Sequence, residues 1–251
     1  MLRSEPSPVR VPPCTSPRVA ALLCALTLAG TGFGAHAQDA GACTAMRNVK
    51  LEGATLEITA AEHLPAGNAP APGPGYQGPL PAHCRVEGVL ERRRGVDGVE
   101  YGIRFALALP DRWSGRFLFQ GGGGLNGSVN PPLGAAAAGA TPALARGFAV
   151  VSTDSGHRGA GFDRGFFADQ DATLNFLFAA NPKVAQVAKR LIDVYYRKPA
   201  DHSYFVGCST GGREAMMMSQ RYPTTFDGIV AGAPAMRTGR SNLGMRSVAV
   251  A

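Results

Sequence analysis

The sequence predicts an α/β fold, a mostly parallel sheet with antiparallel N-terminal strands, for three reasons. Residues 84–90 and 101–109 are apolar or alternating runs around a Gly-containing turn, the pattern of an antiparallel hairpin. From residue 148 onward, short apolar runs and helical patterns follow one another in the order β–α–β–α–β, which implies a mostly parallel sheet covered on both faces. The aromatic and β-branched run 203–206 leads through a glycine-flanked serine directly into a helical pattern.

At the N-terminus, Arg3, Arg10 and Arg18 precede an apolar run over 19–33 and then Ala35-His36-Ala37, a small-x-small cleavage site. That is the grammar of a secretory signal peptide over 1–37. The apolar run is shorter than the roughly 20 residues a membrane span needs, and no later stretch qualifies. Bulky Leu23 before Cys24 argues against a lipoprotein anchor. The expected product is an exported chain over 38–251, secreted or periplasmic, with no membrane partner. Cys14 and Cys24 would leave with the leader, so Cys43, Cys84 and Cys208 remain. In an oxidising compartment the simplest pairing joins Cys43 to Cys84 and leaves Cys208 alone.

Residues 54–59 read as a strand, and the Pro- and Gly-rich segment 65–82 as a loop. The chain carries a formal net charge of +7, part of which lies in the leader. Arg92-Arg93-Arg94 follows Glu91 at the hairpin end without interleaved aromatics. It reads as a solvated turn, and no nucleic-acid partner is expected. Residues 116–120 form a strand that runs into Gly121–Gly124. A glycine run there is either a linker or a loop whose bare amides approach an anion; its place at the C-terminal end of a strand upstream of the serine favours the second. Residues 148–152 form a strand ending in Thr153-Asp154-Ser155-Gly156-His157. Over 183–196, Val184, Val187, Ala188, Leu191, Ile192 and Tyr195 mark a one-faced helix. A helix over 213–222 is stopped by Pro223, with Met216, Met217 and Met218 expected in the core, and 228–233 forms the next strand.

The segment Gly207-Cys208-Ser209-Thr210-Gly211-Gly212 carries the chemistry. A serine on a sharp strand-to-helix turn, with glycines where the backbones crowd, is the pattern of a nucleophile elbow. The hydroxyl is presented at a helix N-terminus, where the Thr210 amide and the helix dipole can face a developing oxyanion.

Together, 121–124, 152–157, 203–212 and the run from Tyr222 through Phe226-Asp227-Gly228 to Pro234 resemble the tannase/feruloyl esterase family of α/β-hydrolases. The resemblance implies an α/β-hydrolase-type sheet, Ser209 as nucleophile, and an oxyanion hole from the amides of Thr210 and of a glycine near Gly123. It implies that Cys208 bridges to a cysteine beside the catalytic histidine, and that a lid domain binds a structural calcium ion and selects the acyl group. Catalysis would need no cofactor, and the substrate would be a small ester of an aromatic acid of galloyl, feruloyl or terephthaloyl type.

One departure is larger than any substitution. Such a serine needs a base and an acid that orients it, yet no histidine follows Ser209. Asp227 falls on a tight turn where the family has a structural aspartate. His202 precedes a strand that runs away from it, and His157 suits a pocket wall or a loop hydrogen bond. The triad acid, the histidine, the partner of Cys208 and the lid are therefore expected beyond Ala251, with 38–251 as the N-terminal part of the catalytic domain. Another α/β-hydrolase activity, or a non-catalytic truncated remnant, remain the alternatives.

Overall fold

The computed structural model describes residues 40–68, 78–96, 98–134 and 140–237, with the single positions 239 and 247. The leader expected over 1–37 lies outside the described residues.

Helix α1 (Ala40–Ala45) runs into a 3-10 turn at Met46–Asn48, and its buried Cys43 is disulfide-bonded to Cys84 at the start of the long hairpin. The strands follow as β1 (Leu56–Leu64), β2 (Gly67–Asn68), β3 (Pro79–Leu80), β4 (His83–Arg94), β5 (Glu100–Pro110), β6 (Arg116–Gln120) and β7 (Ala149–Thr153). Then come α2 (Gln170–Leu174), a π-helical turn at Asn175–Ala179, α3 (Ala180–Tyr196), β8 (His202–Cys208), α4 (Thr210–Arg221) and β9 (Gly228–Gly232). The segment read as a loop over 65–82 contains one small addition, the antiparallel two-residue ladder of β2 with β3.

The main sheet has the order β1-β4-β5-β7-β6-β8-β9 among the described residues. It is antiparallel from β1 to β7 and parallel from β7 through β6 and β8 to β9. The consequence that matters is adjacency: β6 and β8 lie side by side although β7 falls between them in the chain. Gln120 pairs with Val206, and the Gly121 amide donates to the Val206 carbonyl at 2.9 Å. The glycine run and the serine turn therefore leave neighbouring strands at the same end of the sheet, where α/β folds bind their ligands.

Alternation along β6 divides the core. Phe117 and Phe119 point to the face covered by α1, α3 and α4, where Phe205 stacks on Phe119 at 4.9 Å between ring centres and Phe226 meets it edge-on. Leu118 points to the other face, with Leu80, Ala143, Leu144, Phe148, Val150 and Val206. Among the described residues that second layer is a loop with one 3-10 turn at Leu144–Arg146.

Both long helices begin earlier than their sequence patterns suggest. The first reads over 183–196, yet α3 starts at Ala180 with Pro182 in its first turn, where proline is tolerated; in the π turn before it the Phe176 and Leu177 carbonyls accept from the Arg213 guanidinium. Helix α4 starts at Thr210, with Gly211 and Gly212 inside it. Of its three methionines, Met218 is buried and Met217 packs partly against the core, but Met216 is exposed, since three consecutive residues sweep too far around a helix to share one face. The arginine run is also less idle than expected. Arg93 makes a bidentate pair with Asp169, the N-cap of α2, and lies over the Tyr101 ring.

Candidate active site

Ser209 sits between β8 and α4 at φ 58° and ψ −117°, a region that side chains avoid. Such a conformation costs on the order of 1–3 kcal/mol and persists only where neighbours over-determine it. Here they do. The Ser209 amide donates to Gly232 O at 3.1 Å, and its carbonyl accepts from the amides of Arg213 and Ala235 at 3.0 Å each. The hydroxyl-bearing residue is left exposed.

The glycines follow from the same geometry. A Cβ on Gly207 would lie 2.3 Å from Gly211 O, one on Gly211 2.6 Å from Gly122 O, and one on Gly212 2.2 Å from Gly232 O. Strand β8, helix α4, the glycine loop and the end of β9 thus meet backbone to backbone around the serine.

The glycine loop is bonded to the elbow at several points. Gly211 N–H donates to Gly122 O at 3.0 Å, and Leu125 N–H to Thr210 Oγ1 at 3.1 Å. Within the loop, Asn126 N–H donates to Gly123 O at 2.7 Å. Four residues in a row, Gly124, Leu125, Asn126 and Gly127, have φ between 54° and 83°. Among the described residues the Gly123 amide has no hydrogen-bond partner, and a Cβ there would meet nothing within 4 Å. Gly123 therefore offers a free donor, with open space where a side chain would stand. Thr210 is the first residue of α4, where an amide has no acceptor in its own helix.

Beneath the loop lies a buried carboxylate that the sequence reading does not single out. Glu214, with no solvent exposure, accepts from Gly122 N–H at 2.9 Å through Oε2. Its Oε1 accepts from Asn126 Nδ2 at 2.5 Å and from Ser155 Oγ at 2.8 Å. The one signal in the sequence was an acid five residues after the serine, in the first turns of the helix that follows it. Close by, buried Asp154 accepts from Arg104 Nε at 2.7 Å and from Gly156 N–H at 2.9 Å, while its carbonyl takes the Gly127 amide at 3.0 Å. Burial pushes its carboxyl up to about 6, with Arg104 pulling the other way.

The two histidines and Asp227 are elsewhere. His157 is buried against Phe166, with ring centres 3.7 Å apart, and lies edge-on to Phe176. Burial holds its ring down at about 4, so it is neutral, and its hydrogen bond is to the Leu125 backbone. His202 opens β8 at the end opposite Ser209. Asp227 belongs to that same far end: its Oδ2 accepts from Ser203 N–H at 2.7 Å and its amide donates to Ser203 O at 2.8 Å. Among the described residues, no histidine hydrogen-bonds the Ser209 hydroxyl.

Cys208, beside the serine, is a free exposed thiol, while Cys43 and Cys84 are paired. No three His, Cys, Asp or Glu side chains converge on a metal position among the described residues. No helix of the described residues is long and apolar enough to cross a membrane.

A strained serine at a β–α junction, beside a glycine loop on the adjacent parallel strand, defines an α/β-hydrolase-like architecture. The tannase and feruloyl esterase family model matches residues 84–249, and the chain belongs to that family. It is 43% identical over 172 residues to a mono(2-hydroxyethyl) terephthalate hydrolase of Piscinibacter sakaiensis, a match covering 65% of this chain and 28% of the relative. A probable feruloyl esterase of Arthroderma benhamiae is 40% identical over 138 residues, which is 52% of this chain and 24% of the relative. The crystal structure of feruloyl esterase B from Aspergillus oryzae superposes with a TM-score of 0.64 at 31% identity, covering 78% of this chain and 37% of that one. The chain thus spans well under half the length of each of these proteins.

Proposed function

We propose that this chain carries the nucleophile and oxyanion-stabilising part of an exported serine esterase that hydrolyses esters of aromatic acids. The observation that carries the reading is the Ser209 backbone, strained at a strand-to-helix junction next to the unpartnered Gly123 amide. In this reading Ser209 Oγ attacks the acyl carbon, and the carbonyl oxygen takes up negative charge against the amides of Thr210 and Gly123. A histidine accepts the serine proton and passes it to the departing alcohol; water then attacks the acyl-enzyme in a second, equivalent step. No histidine follows Ser209 in this chain, and the relatives extend well beyond the matched span. The base, the acid that orients it and the cysteine partner of Cys208 are therefore assigned to the portion of the relatives that this chain does not span, as are the calcium and the lid. Export rests on the leader pattern over 1–37. The acyl group is of galloyl, feruloyl or terephthaloyl type, the last two matching the names of the relatives.

The test is a panel of aryl esters assayed on the protein carried to the full length of its relatives, with Ser209→Ala beside it. Loss of the nucleophile should cost at least about a thousandfold in kcat, and a mass shift on Ser209 should report the acyl-enzyme. Activity above a tenth of the parent's in Ser209→Ala overturns the assignment of the nucleophile. A parent inactive on every ester would favour a non-catalytic remnant.

A further inference from the structure

The loop that presents Gly123 is an improbable conformation. Leu125 and Asn126 both adopt φ values that side chains disfavour, between two glycines that adopt them freely. Its far end is held by backbone bonds, Gly127 N–H to Asp154 O and Phe162 N–H to Gly124 O, and two side chains of α4 grip its middle. Thr210 takes the Leu125 amide, and the Glu214 carboxylate takes the Asn126 side chain and the Gly122 amide.

The second grip has a consequence for the chemistry. Gly121 N–H is bonded to Val206, Gly122 N–H to Glu214, Leu125 N–H to Thr210, and Asn126 N–H to Gly123 O. Gly123 stands between an anchored residue and a strained turn whose tip is tied to the same carboxylate. A fully buried carboxylate is costly unless its oxygens are satisfied, and here it accepts three bonds, two of them from this loop and one from Ser155. The carboxylate needs the loop, and the loop needs the carboxylate.

We propose that Glu214 is a positioning residue for acyl transfer, its buried carboxylate clamping Gly122 and Asn126 so that the Gly123 amide stays free and fixed for the oxyanion. This rests on the reading of Ser209 as nucleophile. Glu214 touches no substrate. It acts through the loop.

Glu214→Gln keeps the volume but puts N–H donors where one of Gly122, Asn126 or Ser155 also presents a donor, so at least one grip is lost. In the full-length protein, with methyl ferulate as substrate and rates expressed per folded molecule, kcat should fall about a hundredfold or more while KM stays within threefold, as for loss of an oxyanion donor. Labelling of Ser209 by a fluorophosphonate should slow in parallel, because the phosphonyl oxygen uses the same amides. A purely structural role would lower yield or melting temperature without that split. Asn126→Gly is the second variant, since glycine suits the positive φ and removes only the tether; kcat should fall about tenfold at constant KM. Unchanged kcat in a folded Glu214→Gln protein, or in Asn126→Gly if Glu214→Gln does not fold, overturns the proposal. Activity surviving in Ser209→Ala would instead sink the nucleophile reading, so the two failures are distinguishable.

Discussion

A Cβ on Gly207 would stand 2.3 Å from the carbonyl oxygen of Gly211, so β8 and α4 meet at the serine turn with no room for a side chain. Backbone is the obstacle, not the end of a flexible side chain, and the strain cannot be relieved by a rotamer change. Gly207→Ala should therefore destabilise by about 3 kcal/mol or more, the upper range for overpacking. Gly161→Ala is the control, because a Cβ there meets nothing within 4 Å. Urea unfolding of both variants checks this; midpoints within error of each other would contradict the packing described.

The sheet was legible because its strands carry their own punctuation. Residues 116–120 end at a glycine run and 228–232 open and close on glycine, so their limits coincide with the structure to within a residue. The starts of α3 and α4 were not legible. Pro182 and the pair Gly211-Gly212 disfavour a helix taken alone; the structure puts the proline in a first turn entered from the π turn, and the glycines where Gly122 and Gly232 leave no room for a side chain. In the site, the glycine-flanked serine was readable because crowding selects glycine at fixed spacings. Glu214 was not, because a single carboxylate on a helix carries no pattern; its meaning comes from Gly122, Asn126 and Ser155, 92, 88 and 59 residues away.

The strain at Ser209 predicts a trade between stability and chemistry. Glycine accepts φ 58° and ψ −117° where alanine does not. Ser209→Gly should be more stable than Ser209→Ala by about 1 kcal/mol, after allowing for the greater entropy glycine loses on folding. Both should lack esterase activity. Thermal melts decide it, and an alanine variant as stable as the glycine one would mean the turn is not strained.

The cysteines give a test that needs no substrate. Cys43 and Cys84 are bridged across a sequence separation of 41, so replacing both by alanine should cost about 4 kcal/mol on the chain-entropy view of disulfides. In the native, unreduced chain a thiol reagent should label Cys208 and neither of the others. In the protein carried to the length of its relatives, Cys208 should be protected by a partner. Mass spectrometry of the labelled peptides reads each case, and a bridge from Cys208 to Cys43 or Cys84 would contradict the pairing.

Two neighbouring buried groups tie stability to pH with opposite signs. His157 has its pKa lowered by burial from 6.5 to about 4, so between those values the unfolded chain binds a proton the native one refuses. Its contribution is complete above pH 6.5 and is lost as pH falls towards 4. Asp154 has its pKa raised by burial from 3.8 to about 6, so over that interval the native chain holds the extra proton. Its contribution is present below about pH 4 and is lost as pH rises through 6. The slopes oppose each other between pH 4 and 6, and the parent should show a shallow profile there. His157→Phe keeps an aromatic ring on Phe166 and removes one slope. The stability difference between parent and variant should widen in the parent's favour from pH 4 to pH 7, by on the order of 3 kcal/mol for a shift of this size. Urea midpoints measured at pH 4, 5, 6 and 7 test it; a difference that stays constant across the series would show that His157 is not held neutral by burial.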